Sequence, residues 1–338
     1  MMRKEALFYT RLENERVQCN LCPHRCILAN GKMGICRVRK NVDGKLVALS
    51  YGWISSCSFD PVEKKPLYHF YPGQPILSIG SVGCNMRCRF CQNDTISQTG
   101  VEGYNGLTRA DPAQVADLAL SRSNNIGVAY TYNEPLVGFE FMMDVAVAIH
   151  RRGAKNVLVT NGFIEPEPLN QLLAVTDAFS IDLKGFTEAF YRQYTSSSLA
   201  PVKKTLERIV ASGRHLEVVH LIIPKANDNP ADFQRMVSWI RTTLGRETVL
   251  HLSRYFPCYQ MTTPATPVST IEAFAAIARE KLDYVYCGNV PHSTGQDTLC
   301  PVCNHRLIRR NGYSTRLTGL GPGAVCQRCG HKIPIIMP

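Results

Sequence analysis

The sequence predicts an α/β protein that contains a parallel barrel, or part of one, with a small cysteine-rich module at each end. Two observations lead to this fold class. Seven apolar β segments alternate with helical stretches between residues 76 and 287, which is typical of repeated β–α units. The chain of 338 residues also holds 14 cysteines, ten of which stand in tight groups of two or three. Such spacing indicates metal binding rather than a disulfide framework.

The first module is expected over residues 1–70. Four of its cysteines follow the pattern C-x2-C-x3-C-x9-C, namely Cys19, Cys22, Cys26 and Cys36. Four thiolates suffice for zinc or for an iron–sulfur cluster, and the spacing fits neither zinc pattern closely. We therefore expect a structural metal site of either kind, with free buried thiols as the alternative. A turn at Asp43-Gly44 predicts a strand within 44–52, and the prolines of 60–75 indicate an ordered, extended connector.

The barrel is expected over residues 71–297, with its active site at the carboxyl ends of the strands. The predicted β segments are 76–83, 126–132, 156–160, 178–183, 215–223, 248–253 and 283–287. The predicted helices are 111–121, 136–150, 201–212, 230–244 and 269–280. The first of these begins with Asp111 as the N-cap and Pro112 at the first helical position.

The strongest chemical signal is the C-x3-C-x2-C group directly after the first barrel strand, formed by Cys84, Cys88 and Cys91. Chance would produce about 0.02 such triplets in a chain of this composition. Three thiolates hold three irons of a four-iron cluster and leave the fourth iron open to a ligand. The alternatives are a fourth cysteine that closes an ordinary redox cluster, or a zinc site.

The last module is expected over residues 298–338. Its two knuckles, C-P-x-C and C-x-x-C-G, contribute Cys300, Cys303, Cys326 and Cys329. Two turns that each present two thiolates can close a tetrahedron around structural zinc, and an additional iron site is the alternative. The isolated cysteines Cys57, Cys258 and Cys287 are expected to be small buried hydrophobic residues.

Composition limits the class of protein. A hydrophobic fraction of 45% with 19% charged residues excludes a disordered chain. No apolar run reaches the ~18 residues of a membrane span, and the N-terminus lacks the apolar core of a signal peptide, so a cytoplasmic location is expected. The formal charge of +11 falls to roughly +6 once two zinc sites and one cluster on thiolates are counted. This lower charge weakens the case for nucleic-acid binding.

The segment GCNMRCRFC, with an aromatic residue before the last cysteine, resembles the radical S-adenosylmethionine (SAM) superfamily. The resemblance implies a partial (β/α)6 TIM-like barrel, a [4Fe-4S] cluster on the three cysteines of residues 84–91, and Phe90 beside the adenine of SAM. It also implies reductive cleavage of SAM to a 5′-deoxyadenosyl radical that abstracts hydrogen from a substrate. Asn133-Glu134-Pro135 resembles the position that binds the amino group of SAM, although the superfamily's two glycines are replaced. The alternative for Glu134 is a surface residue at a strand end.

Thr160-Asn161-Gly162 and the segment that carries Asp182 and Lys184 resemble the activases of glycyl-radical enzymes. In those proteins the aspartate helps to coordinate a monovalent cation and the lysine pairs with the cofactor carboxylate. Val159 stands where the activases usually carry another aspartate, and Asp182 pairing only with Lys184 is the alternative. Four candidate substrate-contacting residues lie at the end of the sixth strand, His251, Arg254, Tyr255 and Tyr259, and Asn289 and His292 hold a similar position after the seventh. The alternative for each is a structural polar residue. Of these, we expect Arg254 and Tyr255, with Lys184, to act on a substrate.

Over residues 15–338 the order of motifs resembles the radical SAM enzyme of the AmmeMemoRadiSam system, a relative of pyruvate formate-lyase activating enzyme. These motifs include CNLCPHRC, DPVEKKPLYHFYPG, YTYNEP, IDLKGF, SRYFP and YVYCGNV. The resemblance implies partnership with Memo-like and AMMECR-like proteins and a reductant such as flavodoxin or ferredoxin. The expected function is hydrogen abstraction from an unidentified substrate, with glycyl-radical activation as one alternative. A non-catalytic zinc-knuckle protein that binds nucleic acid is the alternative of another class.

Overall fold

The structure, a computed structural model, describes residues 4–290 and 295–337. The N-terminal part contains short antiparallel strands. β1, β2 and β3 form one sheet and β4 pairs with β5. Their bounds are Tyr9–Arg11 (β1), Val17–Cys19 (β2), Ile27–Leu28 (β3), Arg39–Val42 (β4), Lys45–Ala48 (β5) and Trp53–Ile54 (β6). Asp43 and Gly44 have φ angles of 52° and 74°, as a tight hairpin turn requires, which confirms the predicted turn and strand.

The main sheet has eight strands in the order β15-β14-β13-β12-β11-β10-β8-β7. The strands from residue 56 onward are Ser56–Pro61 (β7), Pro75–Gly80 (β8), Thr108–Arg109 (β9), Gly127–Tyr130 (β10), Lys155–Thr160 (β11), Ala178–Asp182 (β12), His215–Ile222 (β13), Val249–Arg254 (β14) and Val285–Gly288 (β15). Seven of the eight are parallel, and β7 adds antiparallel to β8 at one edge, while β9 pairs with β6. All seven predicted barrel strands are confirmed, and the sheet is an open partial barrel.

Helices cover the outside of this sheet. Their bounds are Asp94–Ser97 (α1), Pro112–Leu120 (α2), Phe139–His150 (α3), Pro166–Val175 (α4), Glu188–Phe190 (α5), Leu199–Ala211 (α6), Pro230–Trp239 (α7) and Val268–Arg279 (α8). Short 3-10 turns lie at Val62–Lys64, Val101–Gly103 and Pro135–Gly138, and π turns at Tyr191–Thr195 and Ile240–Leu244. The predicted start of α2 is confirmed, because Asp111 and Gln114 form a reciprocal capping box, which satisfies two free N–H groups.

The helices pack through apolar stripes. In α6 the buried residues Leu199, Val202, Leu206 and Ile209 recur every three or four positions, which places them on one face. Helix α4 was not predicted, although its first residue is a proline at a favourable N-terminal position. The parallel strands are buried on both faces, as in all-parallel sheets, and this core holds the strand ends rigidly in place.

The ribbon, defined here as residues 298–337, packs against one side of the sheet. Its strands are Thr298–Leu299 (β16), Arg306–Asn311 (β17), Ser314–Leu317 (β18), Leu320–Gly321 (β19) and Val325–Cys326 (β20). Leu307 and Ile308 of the ribbon share an apolar cluster with Tyr68, Tyr284 and Tyr286. Strand β7 belongs to the main sheet although it precedes residue 70. Among the residues described, no helix is both long and apolar enough to span a bilayer.

Candidate active site

A cavity of about 720 Å³ lies at the carboxyl ends of the parallel strands. We call it the central cavity. Most of the predicted catalytic and cofactor-binding residues line it, namely Cys84, Cys88, Phe90, Cys91, Glu134, Asn161, Asp182 and Lys184. These residues come from the ends of four consecutive strands of the sheet, so the fold brings together groups that are up to 100 positions apart in sequence. The cavity is therefore the candidate active site.

The cluster loop, defined here as residues 83–91, is held by backbone contacts on both sides. Arg87 N donates to Thr195 O at 2.8 Å and Arg89 N donates to Tyr194 O at 2.9 Å. Gly83 O accepts from Asn133 Nδ2 at 3.0 Å. Because these bonds come from separate elements, the loop presents its cysteines to the cavity in one fixed arrangement.

The three thiols of the cluster loop fit an iron–sulfur cluster. Cys88 is buried, and burial raises the pKa of its thiol to about 12, so a bound cation is needed to hold the thiolate. The sulfur of Cys84 accepts from Met86 N at 3.3 Å and from Asn161 Nδ2 at 3.8 Å. Such contacts to cluster sulfurs adjust the electron density of the site.

Glu134 joins the ends of two strands. Its carboxylate accepts from Thr160 Oγ1 at 2.5 Å, from Asn161 N at 2.9 Å and from Leu136 N at 3.1 Å. Burial raises the pKa of Glu134 to about 7, although these donors favour the ionised form. With three of roughly four acceptor positions used, one position is left toward the cavity for a donor such as an ammonium group. Glu134 is buried, and this excludes the surface alternative.

Lys184 supplies positive charge to the same cavity. Its Nζ lies 3.0 Å from Asp182 Oδ2 and 6.0 Å from the centre of the Phe90 ring. Burial opposes the ammonium charge, but the carboxylate of Asp182 and the sulfur of Cys88 outweigh it and raise the pKa of Lys184. The lysine therefore stays charged and is positioned to bind an anionic group.

Two predicted catalytic residues lie elsewhere. The hydroxyl of Tyr255 donates to Met261 O at 3.1 Å, and Arg254 Nε donates to Thr266 O at 2.6 Å. Neither is among the described residues that line the central cavity, whereas His251 and Ser253 are. Side chains alternate along a strand, so His251 and Ser253 face the cavity and Arg254 does not. Asn289 lines the cavity, and the other predicted group of that loop, His292, lies outside the described residues.

Sequence reasoning missed several cavity residues, among them Lys64, Lys65 and Tyr132, which share Asp60 as their partner. Asp60 accepts from Lys64 Nζ at 2.9 Å, Lys65 Nζ at 2.7 Å and Tyr132 OH at 2.6 Å. Burial opposes its ionisation, but the two ammonium groups hold the pKa of Asp60 well below its usual range. Tyr313, at the tip of the ribbon hairpin, also lines the cavity. The prolines of residues 60–75 indicated an ordered segment around Lys64 and Lys65. No local sequence pattern indicates that Tyr313 lies at the central cavity.

The ribbon cysteines form a tight quartet. The sulfur atoms of Cys300 and Cys329 are 3.5 Å apart, and those of Cys303 and Cys326 are 3.6 Å apart. All four lie within 4.8 Å of one another, which fits one tetrahedral ion. Within residues 4–290 and 295–337, this is the only group of three or more Cys, His, Asp or Glu ligands so close together.

Comparison with known proteins now adds to this geometry. The model of the radical SAM superfamily matches residues 78–240, the part of the chain that builds the cluster loop and the first strands of the cavity. This chain belongs to the radical SAM superfamily. In radical SAM proteins the cysteine triplet implies a [4Fe-4S] cluster and SAM, and the three thiols and the cavity described above fit both.

The similarity to named radical SAM relatives varies in extent. The chain is 42% identical over 339 residues to protein MJ0808 of Methanocaldococcus jannaschii, covering 99% of this chain and 100% of that protein. It is 24% identical to the pyruvate formate-lyase-activating enzyme of Listeria monocytogenes, covering 47% of this chain and 67% of that enzyme. It is 24% identical to the benzylsuccinate synthase activating enzyme of Thauera aromatica, covering 53% and 55%. The chain thus spans about half of that last enzyme.

A solved structure agrees with the fold. The crystal structure of Streptococcus suis SuiB bound to S-adenosylmethionine superposes with a TM-score of 0.50 at 11% identity, covering 65% of this chain and 49% of SuiB. At this level of identity the likeness concerns the fold of the partial barrel alone.

Proposed function

We propose that this protein cleaves SAM reductively and uses the resulting radical to abstract hydrogen from a substrate in the central cavity. The observation that carries the proposal is the meeting of three cysteines, a buried carboxylate and a partly buried ammonium group around one cavity of about 720 Å³. When bound, the [4Fe-4S] cluster supplies the electron that splits the sulfonium to methionine and a 5′-deoxyadenosyl radical. A reductant such as flavodoxin or ferredoxin would supply that electron, in the cytoplasm.

The chain's own residues orient SAM. In this proposal Lys184 pairs with the carboxylate of SAM, because its ammonium lines the cavity and is charged, and such charge-assisted contacts are strong. Glu134 uses its remaining acceptor position for the amino group. Phe90, which is buried beside the cavity, packs against the adenine. Asn161 bonds both the Cys84 sulfur and the cluster-loop residue Asn85, and so keeps the cluster loop in register with strand β11.

One anaerobic assay tests the reaction. Protein reconstituted with iron and sulfide is reduced with dithionite in the presence of SAM, and 5′-deoxyadenosine is measured by chromatography. Wild type is expected to form it and Cys84→Ala to lose the activity, because one iron then lacks its ligand. Cys57→Ala is the matched control, since this exposed cysteine lies in β7 away from the cavity. Equal product from Cys84→Ala and wild type, or none from wild type, would refute the proposal.

Glycyl-radical activation is the second candidate. It is supported by the similarity to the activating enzymes of pyruvate formate-lyase and benzylsuccinate synthase. The activase reading requires a protein partner with a glycine loop, and the AmmeMemoRadiSam resemblance directs the search to Memo-like and AMMECR-like proteins. Incubation of each partner with the reduced enzyme and SAM should produce an organic radical signal or a mass change in that partner. Turnover of a small molecule without any such change would favour the first candidate.

Binding of nucleic acid through the ribbon is the alternative of another class. Of the five ribbon arginines, Arg310 is completely buried, and its guanidinium donates to Tyr68 O at 2.8 Å and to Thr298 Oγ1 at 2.7 Å. Arg310 is therefore not available to phosphate. Arg306, paired with Asp297 at 2.8 Å, is 54% exposed, and Arg309, Arg316 and Arg328 are exposed. Salt-sensitive binding of the full chain to DNA or RNA would support this alternative.

A further inference from the structure

The four N-terminal cysteines surround one pocket. Cys19, Cys22, Cys26 and Cys36 line it together with Arg39. A Cβ atom placed on Gly34 would lie 3.7 Å from the sulfur of Cys26 and 3.7 Å from that of Cys36, so these two sulfurs face each other across Gly34. Cys19 and Cys36 are buried. Four thiols that converge on one enclosed space form a donor set for a metal group.

The separation of the sulfur atoms distinguishes the kind of metal group. Tetrahedral zinc with Zn–S bonds of about 2.3 Å holds its sulfur ligands about 3.8 Å apart. The ribbon quartet meets this condition, with sulfur pairs at 3.5 and 3.6 Å. A four-iron cluster is larger and holds its cysteine sulfurs roughly 6 Å apart. A zinc site and a cluster site therefore leave different spacings in the folded chain.

The N-terminal set is wider than the ribbon quartet. In the described part of the chain, no three ligand atoms outside the ribbon lie within 4.8 Å of one another. The sulfur atoms of the N-terminal cysteines are therefore spread more widely than those of the ribbon, and so are the sulfur atoms of the cluster-loop triplet Cys84, Cys88 and Cys91. The same protein thus contains a contracted quartet of the zinc type and two wider sets. We propose that Cys19, Cys22, Cys26 and Cys36 bind an iron–sulfur cluster of their own.

Charge in the pocket suits such a group. Arg39 is completely buried beside the cysteines, and its guanidinium pairs with Glu140 at 2.7 Å. Four thiolates around iron carry net negative charge, which would be costly to bury alone. The guanidinium offsets part of that charge at the wall of the pocket. Ile35, which also lines the pocket, is 38% exposed, so the site lies near the protein surface.

The N-terminal site adjoins the cluster loop. A Cβ atom on Gly83 would lie 2.5 Å from Cys36 O, and His24 Nε2 lies 2.7 Å from Asn85 O. Asn85 itself lines the N-terminal pocket. Since adjacent Cα atoms are ~3.8 Å apart, these contacts place the two cysteine sets within roughly 15 Å of each other. Two reduced clusters at that separation would interact magnetically.

The test counts metal in a chain that cannot hold the first cluster. Cys84, Cys88 and Cys91 are all replaced by alanine in the full-length protein, which is then reconstituted anaerobically with iron and sulfide. We expect about four irons and about one zinc per chain, with an iron–sulfur signal in electron paramagnetic resonance after reduction. A chain without iron and with about two zinc ions would overturn the proposal.

Two further variants locate the iron. Adding Cys22→Ser and Cys26→Ser to the triple variant should remove the iron and leave the ribbon zinc, whereas adding Cys57→Ser should leave both. Iron that persists after the first change would refute the assignment. In reduced wild type the two cluster signals should broaden each other, and unbroadened signals would refute the proximity. None of these measurements requires SAM cleavage, so their outcome is independent of the proposed function.

Discussion

Lys184 is a partly buried cation beside three thiols, and its charge depends on a single close carboxylate. Asp182 lies 3.0 Å away, and burial alone would favour the neutral amine. The pair therefore provides one cation at the wall of the cavity. In the proposed reaction this cation is the counter-charge of the SAM carboxylate.

Replacing Lys184 by methionine should weaken SAM binding. The loss of a charged hydrogen bond of ~1.5–3 kcal/mol corresponds to a dissociation constant about 10- to 100-fold higher. Equilibrium binding of SAM to the reconstituted protein measures this. Lys203→Met is the matched control, because Lys203 lies over the Trp239 ring at 4.8 Å and away from the cavity. An unchanged dissociation constant in Lys184→Met would remove the lysine from the binding site.

Position at a strand end explains much of the candidate site. Cys84, Glu134 and Lys184 line the cavity because each follows a strand end, and strand ends meet in a parallel sheet. Arg254 and Tyr255 also stand at a strand end. Successive side chains of a strand point to opposite faces of the sheet, so a shift of one position decides whether a residue faces the cavity. The sequence alone does not show which residues of the strand end face the cavity.

At the scale of elements, the cluster loop and the N-terminal hairpin region are packed without space between them. Gly83 has a φ of +89° and faces Cys36 O and the Val38 side chain. A left-handed backbone and a close approach thus coincide at one residue. The junction requires glycine for both reasons.

Gly83→Ala should therefore be more damaging than a change at a glycine with the left-handed conformation alone. Gly153 has a φ of +74° and nothing within 4 Å of an added Cβ, so Gly153→Ala should cost only about 1–2 kcal/mol. In Gly83→Ala the added carbon meets backbone, and the cluster loop must shift. We expect a larger fall in melting temperature and less iron per chain. Equal effects of the two substitutions would argue against a tight junction.

Elements were predictable where their signal is local. The capped start of α2 and the alternating strands of the barrel were found from caps and apolar runs. Strand β7 was not found, because it exists through pairing with β8 and lies beside prolines, and strand propensity depends on such context. Helix α4 was missed because Pro166 and Pro168 resemble a turn, while Leu169 and Leu172 are buried only after the helix packs.

At the scale of the whole molecule, a buried polar network joins the connector, the barrel and the ribbon. Glu217 accepts from Tyr68 N at 2.9 Å and His69 N at 2.7 Å, and it lies 2.6 Å from His251 Nε2. His69 Nε2 lies 2.7 Å from the hydroxyl of Tyr286. Burial opposes ionisation of Glu217, but its histidine partners hold its pKa well below the usual range. One carboxylate thus ties together segments that are 149 positions apart in sequence.

Two buried histidines, His69 of this network and His220 of β13, predict lower stability of the fold in mild acid. Burial lowers the pKa of His69 to about 3 and that of His220 to about 4, whereas an unfolded histidine has a pKa of about 6.5. Below that value the unfolded chain binds more protons, so acid favours unfolding. Each histidine should contribute up to about 1.4 kcal/mol per pH unit. The full contribution is present above pH 6.5 and is lost as the pH falls toward the folded values.

Thermal unfolding at pH 7.5, 6.5 and 5.5, followed by circular dichroism, measures this dependence. The melting temperature of wild type should fall with pH, although Glu134, whose pKa burial raises to about 7, opposes the trend over the same range. His69→Gln should show a clearly smaller fall than wild type, because only the share of His220 remains. The slope of melting temperature against pH is compared between wild type and His69→Gln. A destabilisation of the variant that is equal at all three pH values leaves this slope unchanged. An identical dependence in the variant would contradict the assignment to His69.

The ribbon hairpin places Tyr313 at the rim of a cavity whose chemistry is built entirely by the barrel. Part of the cavity wall and the cysteines of the cluster loop are thus encoded about 220 residues apart, and under the proposed function that wall would contact the substrate. Hairpin tips tolerate substitution and insertion far better than packed strand ends. Diversity in what the protein acts upon can therefore accumulate at the ribbon while the reaction itself stays constant.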